Sequence, residues 1–244
     1  MATSPEGFRQ RSLALKAQLV EQGRRVQDLI ELAFEAAFDR SAEKAQRVTK
    51  LDDAIDTADV EIERAAVQLL TDATRETAQL DENQLRLVLT IVKVNNELER
   101  IADAGVDVAE LVIPTKGDGA GTYPHANEQA LPSTFRVMAN SVIGILRDAV
   151  GSLMSNDAAM AKVVLQSQHT VTAFKAAIVR DAETKISQGK MTVDYAFFLH
   201  EIANLCELVA DHCTNIAEQV IYLNTGAIVR HTQTSWVEVG KTKS

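Results

Sequence analysis

The sequence predicts an all-α fold built as two tandem three-helix bundles, six long helices related by internal pseudo-twofold symmetry. Three observations lead there. A polar pattern occurs twice: sliding one half of the chain by 108 positions superimposes Asn96, Glu99, Ala102, Asp103, Ala109 and Glu110 on Asn204, Glu207, Ala210, Asp211, Ala217 and Glu218. An internal repeat of this period marks a duplicated unit. Of the four prolines, one stands near the N-terminus and three, Pro114, Pro124 and Pro132, fall in a single segment, so long uninterrupted helices are permitted on both sides of it. The composition is aliphatic and poor in helix breakers, with 46% hydrophobic residues, 5% aromatics and eleven glycines in 244 residues.

The elements follow in order. Ser4 and Pro5 stand in the N-cap and N1 order that opens a helix, predicted over about 7–38. The second helix is expected over about 41–74, with an apolar seam at Val48, Leu51, Ile55, Ala58, Ile62, Ala65 and Leu69. A capping box, Asp81 with Gln84, opens the third, which runs to about 112. Pro114 to Pro132, with Gly117, Gly119 and Gly121, reads as a linker. The second half repeats the plan at about 133–154, 157–188 and 193–224, with Gly189 and Gly226 where C′ glycines belong. A shift of 116 lays Ala42, Ala45, Val48 and Ile62 over Ala158, Ala161, Val164 and Ile178, which supports the duplication. The expected domains are a first repeat over 1–112, a linker over 113–132, a second repeat over 133–231 and a flexible tail over 232–244. Short loops between antiparallel neighbours give up-down bundles.

Charge and cysteines bound the function. A formal net charge of -9 argues against nonspecific nucleic-acid binding, whose affinity comes from Lys and Arg neutralising phosphates, and against direct attachment to an anionic membrane. The apolar stretches are expected to be broken by charges short of a spanning helix, and no signal-peptide core is apparent. A cytoplasmic location is therefore expected. Cys206 and Cys213 lie seven apart on one helix, roughly 10 Å between Cα atoms and beyond disulfide reach, so both read as reduced core residues.

Beside its apolar seam the second helix carries Asp52, Asp56, Asp59 and Glu63, at spacings of four, three and four, with no Lys or Arg within the stripe. Like charges at i and i+4 repel by a few tenths of a kcal/mol per pair, and a cation would relieve the repulsion. Glu99 and Asp103 are themselves one turn apart on the third helix, and if the two helices are neighbours the two stripes converge. Carboxylate oxygens of this kind suit Mg, Mn, Ca or Fe. In the second half Glu207 and Asp211 recur, but at the 116 shift Asp52, Asp56 and Asp59 become Gln168, Thr172 and Lys175, which leaves at most half a cluster. His212 lies about 100° around the helix from Asp211 and reads as a polar or interface residue. Neither a Ser/His/Asp set, a phosphate-cradling glycine loop nor a nucleophilic cysteine signature can be assembled, and the Glu-x-x-His pairs usual in carboxylate-bridged metal enzymes of bundle fold are absent.

The runs from Glu97 to Asp103 and from Ala210 to Glu218, with Val220 to Gly226, Val229 to His231, Ala45 to Glu63 and Leu85-Arg86, resemble the PhoU family of phosphate-signalling proteins along nearly the whole chain. The resemblance implies two three-helix bundles, often in a homodimer, and metal clusters of iron, zinc, magnesium or manganese held by Glu/Asp-x-x-x-Asp motifs. Carried over by position, the metal ligands are Asp52, Asp56, Glu99 and Asp103 in the first repeat and Glu207 and Asp211 in the second. It further implies a non-enzymatic negative regulator of phosphate uptake and phosphate-starvation signalling. Such a regulator would act as an adaptor between the ATPase of a phosphate ABC transporter and a sensor histidine kinase, peripheral to the membrane through those partners only. The alternatives from other classes are a carboxylate-bridged metal enzyme and a metal-free helical scaffold.

Overall fold

The computed structural model describes residues 5–111, 130–231 and 236–239. Six helices follow one another: α1 (Pro5–Asp39), α2 (Ala42–Arg75), α3 (Glu82–Glu110), α4 (Ser133–Ser155), α5 (Ala158–Ser187) and α6 (Val193–Thr225). Within each repeat all three helices pack on one another, and the repeats join flank to flank through α1 against α4 and α3 against α6. The linker expected over 113–132 lies outside the described residues up to position 129.

Helix boundaries follow the local signals. Ser41 accepts from the Lys44 amide at the start of α2, and Asp157 accepts from the Ala159 and Met160 amides at the start of α5. Asp81 and Gln84 close a reciprocal capping box on α3. Gly226 takes the left-handed conformation, φ 70°, at the C-terminus of α6. A side chain there would also meet the Arg86 guanidinium, which would have to swing aside.

Burial corrects the seam expected for α2. Val48, Ile55, Ile62 and Leu69 are buried, together with Ala45, Ala66 and Ala73, but Leu51 and Ala65 face solvent and Ala58 is only partly covered. The helix touches α1 and α3 along one narrow stripe, so only one of the two apolar rows that the heptad spacing offers is covered. The cysteines are free and buried, as expected for core thiols.

Two features depart from the sequence reading. Ser133–Ser155 is long and apolar enough, by length and composition, to cross a membrane, with a mean hydropathy of 1.3 in its best window. Half of that window is buried within the protein, where α4 packs on α1, α5 and α6 as a bundle core helix. The tail expected to be flexible over 232–244 contains a strand, β2 (Trp236–Val239), antiparallel to β1 (Ile228–His231). β1 follows directly on α6 and packs on it, with Val229 against the core.

Candidate functional site

The first repeat brings the acids of α2 and α3 onto one face. The narrow buried stripe of α2 leaves Asp52 and Asp59 partly buried at its edge, with Asp56 and Glu63 exposed beside them. From α3, Glu99 is partly buried and Asp103 exposed. Two buried amides hold α2 at this height: Gln22 of α1 donates to the Ile55 carbonyl at 2.6 Å, and Asn95 of α3 donates to the Asp59 carbonyl at 3.0 Å and to its carboxylate at 2.6 Å.

The electrostatics of this face are uncompensated. Burial, then the charges of Asp56, Asp103 and Asp53, push the Asp52 carboxyl up to about 6. Burial, then Asp103 and Asp59, raise Glu99, and burial, then Glu63 and Asp56, raise Asp59. No ion pair among the described residues reaches Asp52, Asp56, Asp59, Glu63, Glu99 or Asp103. Oδ1 of Asp52 is buried without a hydrogen-bond partner, an acceptor with nothing to accept from. Hard oxygen donors at raised potential around an unpartnered buried acceptor fit a metal ion. Among the described residues no three His, Cys, Asp or Glu side chains are gathered into a ready-made metal cage, as like charges without a counter-ion would keep apart.

The second repeat resolves the same problem with protein donors. Gln168 donates to Asp211 at 2.6 Å, Thr172 donates to Glu207 at 2.9 Å, and the Lys175 ammonium pairs with the other Glu207 oxygen at 2.5 Å. Burial alone would raise Glu207, but the hydrogen bonds from Lys175 and Thr172 hold it below the usual carboxylate range. Glu207 and Asp211 thus face donors from α5, where Glu99 and Asp103 face acids from α2.

Between the repeats lies a polar feature that sequence reasoning assigned only in outline. His212 of α6 sits 2.7 Å through Nδ1 from the Glu97 carboxylate of α3, and Asn215 donates to the same oxygen at 2.9 Å. Glu97 is half-buried, which would raise it, yet these hydrogen bonds bring it below its ordinary value. Glu97 and Asn215 line a cleft of about 710 Å³ between α2, α3, α6 and β1, together with Asp59, Lys93 and Arg230. Arg230 pairs there with the buried Glu218 at 2.5 Å. His212 has the interface role expected of it. Glu97 was passed over because its counterpart at the 108 shift is Leu205, so the repeat itself does not single it out.

A family profile described as PhoU domain matches the chain twice, over residues 19–112 and 135–220. A phosphate-specific transport system accessory protein PhoU homolog of Aquifex aeolicus is 30% identical over 216 residues, covering 88% of this chain and 92% of that protein. A homolog of the same description from a Burkholderia species is 28% identical over 215 residues, covering 88% of this chain and 87% of its own length. Among solved structures, PhoU from Pseudomonas aeruginosa superimposes with a TM-score of 0.78 at 25% identity, covering 90% of this chain and 99% of that one. The phosphate transport system regulatory protein PhoU of Streptococcus pneumoniae, at 20% identity, shares the fold with a TM-score of 0.79 over 92% of this chain. With two copies of the domain, six helices in the matching arrangement and a relative alike over most of its length, this chain belongs to the PhoU family.

Proposed function

We propose that the chain is an accessory regulator of phosphate transport, a cytoplasmic adaptor that restrains phosphate uptake and phosphate-starvation signalling by docking on a phosphate transporter ATPase and a sensor histidine kinase. The names of its relatives support the placement in phosphate transport. A homodimer, as the family resemblance implies, belongs to the same reading.

The observation that carries the metal part is the unpartnered Asp52 carboxylate oxygen on a face whose acids have no ion-pair partner among the described residues. Asp52, Asp56, Glu99 and Asp103 would hold Mg, Mn, Fe or Zn through oxygen. The ion would neutralise the acidic face and offer positive charge to which an anion such as phosphate can come. Those four residues would tie α2 to α3 through that ion, while Asn95 fixes α3 to α2 and Gln22 fixes α1 to α2 beneath it.

Two measurements test this. Deleting the gene should release phosphate-starvation genes in phosphate-rich medium, and restoring the wild-type chain should silence them. Asp56→Ala with Asp103→Ala should lose most of the bound metal and fail to silence them. A deletion strain with unchanged phosphate uptake and reporter expression overturns the adaptor role, and a double variant with unchanged metal content overturns the metal centre.

A further inference from the structure

We propose that Lys175 is the resident cation of the second repeat, so that this chain carries one metal centre and one permanent ion-pair centre at equivalent places. The comparison rests on the reading above that the first repeat takes a metal. Position supplies the first argument: Lys175 stands 116 residues after Asp59, and its partner Glu207 stands 108 residues after Glu99. The α5 residue has therefore changed from acid to base where the two stripes meet.

Hydrogen bonding supplies the second argument. The three α5 residues that replace Asp52, Asp56 and Asp59 have all become donors, and each donates to α6: Gln168 to Asp211, Thr172 to Glu207, Lys175 to Glu207. Replacement of acceptors by donors at three positions, each engaged with the opposite acids, is a coherent exchange of partner type. The charges agree. Asp52, Asp56, Asp59, Glu99 and Asp103 present five carboxylates with no cation paired to them, whereas Gln168, Thr172, Lys175, Glu207 and Asp211 present two carboxylates and one ammonium.

A metal ion entering the second repeat would compete for the oxygens that Lys175 and Thr172 already use. It would leave a partly buried ammonium unpaired and gain only neutral ligands from α5. The α5–α6 pairing is thus fixed in the chain itself, independent of metal supply. In the first repeat α2 and α3 are joined by packing and by the Asn95–Asp59 hydrogen bonds, and only their acidic face answers to the metal.

The test uses the full chain with Mn²⁺ as probe and melting temperature and bound manganese as readouts. Asp56→Ala/Asp103→Ala should abolish manganese uptake, and Glu207→Gln/Asp211→Asn should leave it unchanged. Loss of manganese in the second pair overturns the proposal. In EDTA, Lys175→Met should lower the melting temperature by about 2–4 °C, and Lys175→Arg should restore most of it. Unchanged melting in Lys175→Met overturns the proposal. Gln168→Asp/Thr172→Asp/Lys175→Asp, which restores the acids of the first repeat, should bind additional Mn²⁺ and melt higher with it, and no extra manganese counts against the proposal. If the wild type takes up no manganese at all, the metal reading of the first repeat fails, while the Lys175 variants in EDTA still decide the second.

Discussion

The two third helices, α3 and α6, carry the same Glu-x-x-x-Asp signature and live in opposite electrostatic surroundings. Across from Glu99 and Asp103 stand carboxylates that raise one another, and across from Glu207 and Asp211 stand an amide, a hydroxyl and an ammonium that satisfy them. A ligand motif on one helix therefore defines half a site, and the facing helix decides whether that half asks for a cation or already has one. The same divergence runs through the interface between repeats. Strict pseudo-symmetry would pair Glu97–His212 with a second latch at Leu205 and Ala104, yet both of those are buried apolar residues. One polar latch and one pair of buried apolar residues stand where symmetry would place two of a kind.

The largest expected effect comes from a position where the repeats differ in volume. Gly105 of α3 corresponds at the 108 shift to Cys213 of α6. A Cβ at Gly105 would overlap the Leu29 and Ile30 methyl groups of α1, so α1 lies against α3 where the glycine leaves room. Gly105→Cys, which copies the second repeat into the first, should destabilise by about 2–3 kcal/mol through overpacking, seen in chemical denaturation. A neutral result means that α1 shifts freely and that the close approach is not a constraint.

The next effect probes the asymmetric latch. Glu97→Ala leaves His212 and Asn215 without their shared acceptor and should cost about 1–3 kcal/mol. Glu97→Ala with His212→Ala should cost less than the sum of the two single changes, because each already breaks the same contact. Additive losses in that cycle would mean that the two residues act separately.

The smallest effect separates the acid faces by pH. The Asp52 carboxyl is raised to about 6 in the folded metal-free chain, above the ordinary value near 3.8. A raised acid binds more protons folded than unfolded, so it lowers stability as pH climbs from about 4 to about 6, and the penalty persists above that. In EDTA, Asp52→Asn should raise stability by about 1–2 kcal/mol at pH 7.5 and change it little at pH 4. Glu207 is held low instead, so its contribution to stability is present above its unfolded value and is lost as pH falls through its folded one. Glu207→Gln should therefore destabilise at pH 7.5. Stabilisation by both substitutions would erase the electrostatic contrast between the repeats.

Much of the architecture could be read locally. The Asp81–Gln84 capping box, the Ser41 and Asp157 caps and the Gly226 stop each involve residues within a few positions of one another, so adjacent letters carry the information. Repetition supplied the duplication and singled out Glu99, Asp103, Glu207 and Asp211, while Asp52 and Asp56 came from the acidic stripe of the second helix and the family resemblance. The short β1–β2 hairpin was missed although Ile228, Val229, Trp236, Val237 and Val239 have strand-forming side chains, because two four-residue strands carry too short a pattern to stand out from a tail. Of the α2 seam, Leu51 and Ala65 were misread because heptad spacing offers two apolar rows, and the neighbours that cover only one of them are remote in sequence.

What the sequence determined by itself is what depends on periodicity and proximity along the chain: six helices, their caps, the duplication, the two Glu-x-x-x-Asp copies and the family. The 116 shift named the residues opposite each copy, and tertiary structure alone decided which of them touch it. Lys175 reaches Glu207 across 32 residues of chain, and His212 reaches Glu97 across 115. Such pairs arise only when helices dock, because the strength of a charge–charge contact falls with distance and rises with burial, and neither quantity is written in the spacing of residues along one helix.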